Sequence, residues 1–363
     1  MKVLIKPLPA KNGDSLLIRY EKSGIGHNIL IDGGNIASYR KDIRKIIQGL
    51  SDQKEVIDLL VISHIDGDHI GGILHLISDM QKKRRGPDLT AMVKQFWFNS
   101  HKNISAYFAN PTDENLFIEL PRVSGEQISV KQGNKVENFL AACNKWHDEP
   151  IRAGQRFQIE DCDIRILSPN QQGLEKLNNS WETELLRTNT KVSGTKSDHR
   201  ESISALREKE FEEDDGIPNG SSIAFLVELY GKKILMLADS HPSVVAASLR
   251  EWKYSPQAKL PLDCMKISHH GSRKNTSEEL LELISCQNYI ISSDGINSYG
   301  HPSKECLVRI ICSPSRDVSK PIKFYFNYRT PNLQAIFSKE EEQAYNFHCI
   351  FPPKDSPAEI VLP

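Results

Sequence analysis

Four side chains able to hold a metal ion fall within six residues of this chain, in Ser63-His64-Ile65-Asp66-Gly67-Asp68-His69-Ile70-Gly71-Gly72. They follow the apolar run Leu59-Leu60-Val61-Ile62, which reads as a buried strand. A strand end opening into a glycine-rich loop carries side chains clear of the sheet, where two imidazoles and two carboxylates can converge. Such a donor set suits divalent first-row metals. A polar surface turn is the plain alternative, and such turns seldom bring flanking histidines and a Gly-Gly entry to a helix. Two further segments repeat the device. Leu235-Met236-Leu237-Ala238-Asp239-Ser240 ends an apolar strand in a carboxylate, and Met265-Lys266-Ile267-Ser268-His269-His270-Gly271-Ser272 ends another in two histidines. One such strand end is usually structural; three together point to a metal centre.

The elements that must carry these residues can be read from the pattern. KVLIKPL, SLLIRY and NILIDGG are predicted strands, and a helix is predicted from Ser38 to about Leu50 with Ile43, Ile46, Ile47 and Leu50 on one face. A helix is expected after the ligand loop, from Ile70 to Met80, then a strand over Val93–Phe98 and a helix over Lys135–Trp146. From about Gly173 to Gly220 the chain is polar and charge-rich, with SGTKSDHRES and REKEFEEDDG. This reads as an insertion, either a solvated excursion or a lid, helical in part from Ser202 to Phe211. Beyond it, Ser222–Tyr230 and Lys233–Ala238 predict a hairpin. Strands over Cys264–Ser268, Tyr289–Ser293 and Lys323–Asn327 then alternate with helices over Ser243–Trp252, Ser277–Ile284 and Lys304–Cys312. Two β-rich halves with helices between them imply a single α/β domain in which two sheets pack together under outer helices.

Composition narrows the function classes. Lys plus Arg number 46 against 47 Asp plus Glu, so no global charge drives the chain toward nucleic acid or an anionic membrane. No apolar run reaches the roughly 20 residues of a membrane span, and the N-terminus alternates like a strand and lacks a signal-peptide cleavage site. The seven cysteines form no C-x-x-C pair, which argues against a zinc ribbon and a disulfide framework and fits reduced thiols in the cytoplasm.

The order SHIDGDHIGG, ADS, SHHGS resembles the metallo-β-lactamase superfamily, and within it the ComEC-like hydrolase domains of DNA uptake. KNGDSLLI, ILIDGG and SSDGINSYGHPS fit the same resemblance, which runs from Lys2 to about Asn327 and covers 173–220 poorly. It implies a four-layer αββα sandwich and two divalent ions, Zn²⁺ or Mn²⁺. His64 and Asp66 would serve one ion, Asp68 and His69 the other, with Asp239 between them. His269 or His270 would complete the second position; His269 is preferred because it comes first after the strand, leaving His270 to face a phosphate or leaving group. Asp32, and Asp14 with less to distinguish it from a turn residue, would orient ligand histidines. His301 is expected to contact substrate or donate a proton, with Tyr299 beside it in the same segment. Ser272 and Arg273 would meet anionic oxygens. Two departures stand out: Asp66 replaces a histidine of the superfamily pattern, and Pro218-Asn219-Gly220-Ser221 stands where another histidine is expected. The centre is thus richer in oxygen donors, which favours Mn²⁺ relative to Zn²⁺ and leaves lactamase activity improbable.

The resulting expectation is a hydrolase in which Asp68 orients or deprotonates the attacking water. Phosphodiesters are the expected substrates, DNA first. Small phosphoesters such as phosphorylcholine esters, a peptide or amide bond in a partner protein, and a non-catalytic module are the rivals. Partner proteins and oligomeric state stay open.

Overall fold

A computed structural model describes residues 2–81, 88–108, 128–147, 149–186, 197–296, 299–354 and 357–363. Its strands, in chain order, are β1 (Val3–Pro7), β2 (Leu16–Lys22), β3 (Ile25–Ile31), β4 (Leu59–Ile62), β5 (Phe96–Phe98), β6 (Arg156–Ile159), β7 (Cys162–Ser168) and β8 (Ala224–Leu229). They continue with β9 (Lys232–Met236), β10 (Leu260–Leu262), β11 (Cys264–Lys266), β12 (Ile284–Cys286), β13 (Asn288–Ile291), β14 (Ile322–Phe326), β15 (Phe347–Ile350) and β16 (Ile360–Leu362). One sheet has the order β16-β1-β2-β3-β4-β5 and the other β15-β14-β13-β11-β9-β8-β7-β6, with β10 and β12 as a small separate pair.

Alternation along the strands explains the layering. In β4, Leu59 and Val61 point into one core while Leu60 and Ile62 point into another; in β9, Ile234 and Met236 separate from Leu235 in the same way. Val3, Ile18, Trp97, Ile164, Phe225 and Ile290 share the core between the two sheets. The opposite face of the first sheet packs on the helices that contribute Ile43, Ile73 and Leu140, and that of the second on those that contribute Val245, Leu280 and Leu307. Sheets buried on both faces need helices on both outsides, so the molecule is the four-layer αββα sandwich.

The hairpin β8–β9 turns through Tyr230 and Gly231, both at positive φ (51° and 75°), as a two-residue primed turn requires. The ligand loop is set by close backbone approach. The helix Gly67–Gln81 begins against the end of β3, Gly33 N–H donating to His69 O at 2.8 Å and Gly72 N–H to Gly34 O at 2.8 Å. A Cβ on Gly72 would lie 1.9 Å from Gly33 O, so only glycine lets this first turn sit where it does.

The stretch expected to be a polar insertion contains regular structure. It opens inside a helix, Gln171–Leu186, whose Leu174, Leu177 and Trp181 are buried in the core, because three apolar residues at helical spacing outweigh the polar neighbours that dominate its composition. Residues 187–196 lie outside the described residues. After them, buried Asp198 accepts Lys304 N–H and Glu305 N–H, both at 2.8 Å, and so caps the helix Lys304–Cys312. The expected helix over Ser202–Phe211 is shorter, Ile203–Arg207, with Ser202 as its N-cap. Strands β6, β7, β10, β12, β15 and β16 have no counterpart among the expected strands, and the helix expected over Ser277–Ile284 is Glu278–Glu282, with Ile284 opening β12. β16 returns to pair antiparallel with β1 in the first sheet.

Candidate metal centre

The candidate ligands meet at one end of the sandwich, at the C-terminal ends of β4, β9 and β11. Their common point is the Asp239 carboxylate, which follows β9 and is buried. Its Oδ2 lies 3.3 Å from His69 Nε2, 3.4 Å from His270 Nε2, 3.8 Å from His269 Nε2 and 3.9 Å from His64 Nε2. Asp66 Oδ2 is 3.6 Å from His64 Nε2, and Asp68 Oδ2 is 3.6 Å from His270 Nε2. Asp14, His69, Asp239 and His270 alone bring four donor atoms within 4.8 Å of one another. His64, His69 and His270 are buried, while Asp66, Asp68 and His269 are partly exposed, so the centre opens to solvent on their side.

Asp32 is fully buried at the end of β3 and organises the first sheet's share of the centre. It accepts Ser63 N–H and the Ser63 hydroxyl, each at 2.7 Å, and faces His69 Nδ1 at 2.8 Å. Ser63 Oγ is in turn 3.0 Å from His64 Nδ1. The Nδ1 edge of each ring thus meets an oxygen, which places a proton there and turns each Nε2 toward Asp239. Among the described residues, buried His64 Nε2 has no hydrogen-bond partner, an omission that costs free energy unless another group satisfies it. That orphaned nitrogen, aimed into a nest of carboxylates, fits a metal ligand.

Asp14 faces His270 Nδ1 at 3.2 Å. The sequence preference between the two adjacent histidines followed their order after the strand, but that order does not decide depth. His269 and His270 both adopt positive φ (48° and 55°), and these two left-handed residues swing the second ring inward between Asp14 and Asp239. His270, expected to face substrate, is therefore the deeper of the two, and His269 lies toward the opening.

Several groups escaped the sequence reading. Lys266, the last residue of β11, is buried with its ammonium ion-paired to Asp14, 3.8 Å from Asp239 Oδ1 and donating to Ala238 O at 2.9 Å. Asp214, from the acidic run before β8, lies 3.3 Å from His269 Nδ1. Asn12 donates to Asp68 Oδ2 at 3.3 Å. His241 has its Nε2 4.0 Å from Asp214 Oδ2. The only hint for Lys266 was a charge inside an otherwise apolar strand.

The outer residues divide. His301 has its ring 5.0 Å from that of His269, and Tyr299 stacks on His301 at 6.1 Å. Arg273 is exposed and lines a hollow with Lys209, Glu212 and Lys274, whereas Ser272 is buried, its hydroxyl accepting Lys274 N–H.

Charge is strongly coupled here. Burial pushes the His69, His269 and His270 imidazoles down, but Asp239, helped by Asp32, Asp214 and Asp14, overcomes it, raising all three and His270 to about 9. Burial works against ionisation of Asp239 and Asp14, yet the imidazoles, and Lys266 for Asp14, hold both well below the usual carboxylate range. His301 is pushed well below its ordinary value by burial and by its histidine neighbours, so it stays neutral. A raised His270 stabilises the ion-free fold fully below pH 6.5 and loses that contribution as pH rises through about 9. Chelated protein is expected to lose about 3 kcal/mol across that window, seen as a falling urea midpoint. A flat or rising midpoint would show that His270 carries no such charge.

Residues 8–97 match the model described as the metallo-beta-lactamase superfamily. Ribonuclease Z from Clostridioides difficile (strain 630) is 37% identical over 84 residues, 23% of this chain and 24% of that one. The match thus spans about a quarter of that relative's length. Among solved structures, the metallo-β-lactamase fold protein YhfI from Bacillus subtilis aligns over 99% of both chains with 9% identity and a TM-score of 0.40. Zn²⁺-bound PqqB from Methylobacterium extorquens aligns over 99% of both chains with 12% identity and a TM-score of 0.43. The segment that supplies Asp14, Asp32 and the loop from His64 to His69 is therefore the part of the chain that matches the metallo-β-lactamase superfamily.

Proposed function

We propose that this protein is a metal-dependent phosphodiesterase, with DNA as the leading substrate. The observation that carries the reading is the convergence of four imidazole Nε2 atoms on Asp239 Oδ2, one of them, His64 Nε2, buried with no hydrogen-bond partner among the described residues. The ribonuclease Z similarity supports phosphodiester chemistry, and the SHIDGDHIGG and SHHGS motifs support the ComEC-like assignment and hence DNA.

His64 and Asp66 would hold one ion and Asp68 and His69 the other, with Asp239 shared. Imidazoles together with Asp66, Asp68 and Asp239 suit Zn²⁺ or Mn²⁺. Divalent ions in such a set supply Lewis acidity toward water and phosphoryl oxygen. The chain's own groups do the rest. Asp68, partly exposed and steadied by Asn12, orients the attacking water and accepts its proton. Exposed Arg273 would meet anionic oxygens of a substrate reaching past the doublet. Neutral His301, stacked on Tyr299, donates a hydrogen bond toward the leaving oxygen.

No helix among the described residues is long and apolar enough to cross a membrane. All seven cysteines are free thiols, which supports a reducing, cytoplasmic setting.

Cleavage of linear single- and double-stranded DNA and of bis-p-nitrophenyl phosphate, with Mn²⁺ or Zn²⁺ added after chelation, tests the reading. Metal-dependent cleavage of DNA is the expected result. Cleavage of the small diester alone moves the substrate class to small phosphoesters. Inertness of metal-loaded protein toward both sinks the phosphodiesterase reading.

A further inference from the structure

A carboxylate stands behind three of the inward-facing imidazoles: Asp32 behind His69, Asp14 behind His270 and Asp214 behind His269. The third comes from the least promising stretch of the sequence, Glu212-Glu213-Asp214-Asp215. Its neighbours face outward, Glu212 to Lys274 and Glu213 to Ser243 N–H. Asp214 turns inward, its side chain only 11% exposed. Oδ2 accepts from Asn219 Nδ2 at 2.7 Å and Asn275 Nδ2 at 3.0 Å, and Oδ1 accepts Gly216 N–H at 3.0 Å. Asp214 N–H donates to Lys274 O at 3.1 Å. So many fixed donors around one carboxylate hold it in a single orientation.

That orientation decides what His269 can do. Its Nδ1 meets two acceptors, Asp214 Oδ2 at 3.3 Å and Asn275 Oδ1 at 3.1 Å, so the proton belongs there. Its backbone N–H is held by Ala238 O at 2.9 Å. Nε2 is left facing Asp239 Oδ2 at 3.8 Å. The turn at 218–221, which brings Asn219 rather than a histidine to this side, supplies Asp214 with a donor. His270 is already committed to the other side, beside Asp68 and His69.

We propose that Asp214 is a positioning residue that holds His269 as a metal ligand, so that the doublet serves both ion positions: His269 with His64 and Asp66, His270 with Asp68 and His69. The segment before β8 is then a working part of the centre rather than a loop excursion. This inference rests on the reading of the cluster as a metal centre.

Cobalt binding to the full-length, chelated protein tests it, by titration calorimetry and visible absorption of bound Co²⁺. Wild type is expected to bind two ions. Asp214→Ala, and Asp214→Leu of closer volume should the alanine variant fail to fold, are expected to weaken one ion tenfold to a hundredfold and leave the other unchanged. His269→Ala is expected to weaken the same ion and alter the same absorption bands. Adding the Asp214 change to His269→Ala should weaken binding no further, because the carboxylate acts only through that ring. Wild-type affinity and bands in the Asp214 variants would overturn the proposal, as would full additivity in the double variant. Failure of wild type to bind Co²⁺ would overturn the metal-centre reading itself and this proposal with it. Two tight ions in the Asp214 variants would remove the proposal alone.

Discussion

Asp68→Ala is expected to lower metal-dependent cleavage of bis-p-nitrophenyl phosphate about a thousandfold while leaving the fold standing. The activity loss follows from its position: a carboxylate 3.6 Å from His270 Nε2 and 27% exposed, open to solvent and able to take a proton from water beside the cluster. Removing a positioned general base costs typically ~10²–10⁴-fold. The fold should survive because Asp68 makes one long side-chain hydrogen bond, to Asn12, and lies in the first helical turn, where an acidic residue contributes about 1 kcal/mol at most. Turnover measured with Mn²⁺ and with Zn²⁺, beside a urea midpoint, separates the two effects. A loss under tenfold would remove Asp68 from proton transfer; a collapsed midpoint would make its role structural.

The second large effect concerns stability. Lys266→Met keeps the volume and apolar stem but deletes the ammonium that lies between two buried carboxylates, Asp14 and Asp239. Breaking a buried pair by removing one partner costs about 3–5 kcal/mol, because the remaining charge loses both water and its counter-ion. That deficit should appear in full in chelated protein. A bound divalent ion would bring positive charge to the same carboxylates, so added metal should raise the variant's urea midpoint more than it raises that of the wild type. Equal stability of variant and wild type in chelator would show that Lys266 does not compensate these charges. Equal gains on adding metal would show that ammonium and ions act on separate parts of the centre.

These two residues mark where the sequence could and could not be read. The ligand loop was legible because Leu59–Ile62 is apolar throughout and His64 to His69 is dense in donors, so strand end and chemistry were adjacent in the chain. The β8–β9 hairpin and the alternating strands and helices after it were legible from period and turn residues, and the four layers followed. Lys266 was not, because a single lysine in a short strand is ordinarily an edge or surface residue; only the convergence of Asp14, some 250 residues away in the chain, makes its burial sustainable. Asp214 was hidden among acidic neighbours that do face water. The helix Gln171–Leu186 was masked by polar residues, although Leu174, Leu177 and Trp181 carried its period. In each case local composition was read where a distant partner decided the outcome.

The two left-handed histidines carry a consequence for how this chain tolerates change. A residue with a Cβ held at positive φ costs on the order of 1 kcal/mol, and glycine or asparagine would sit more comfortably at either position. Any search for stabilising substitutions that scores the backbone alone would therefore single out His269 and His270 for replacement. Each such improvement would delete an imidazole from the cluster. Durability and chemistry pull in opposite directions at this turn, and the chain keeps the less comfortable residues.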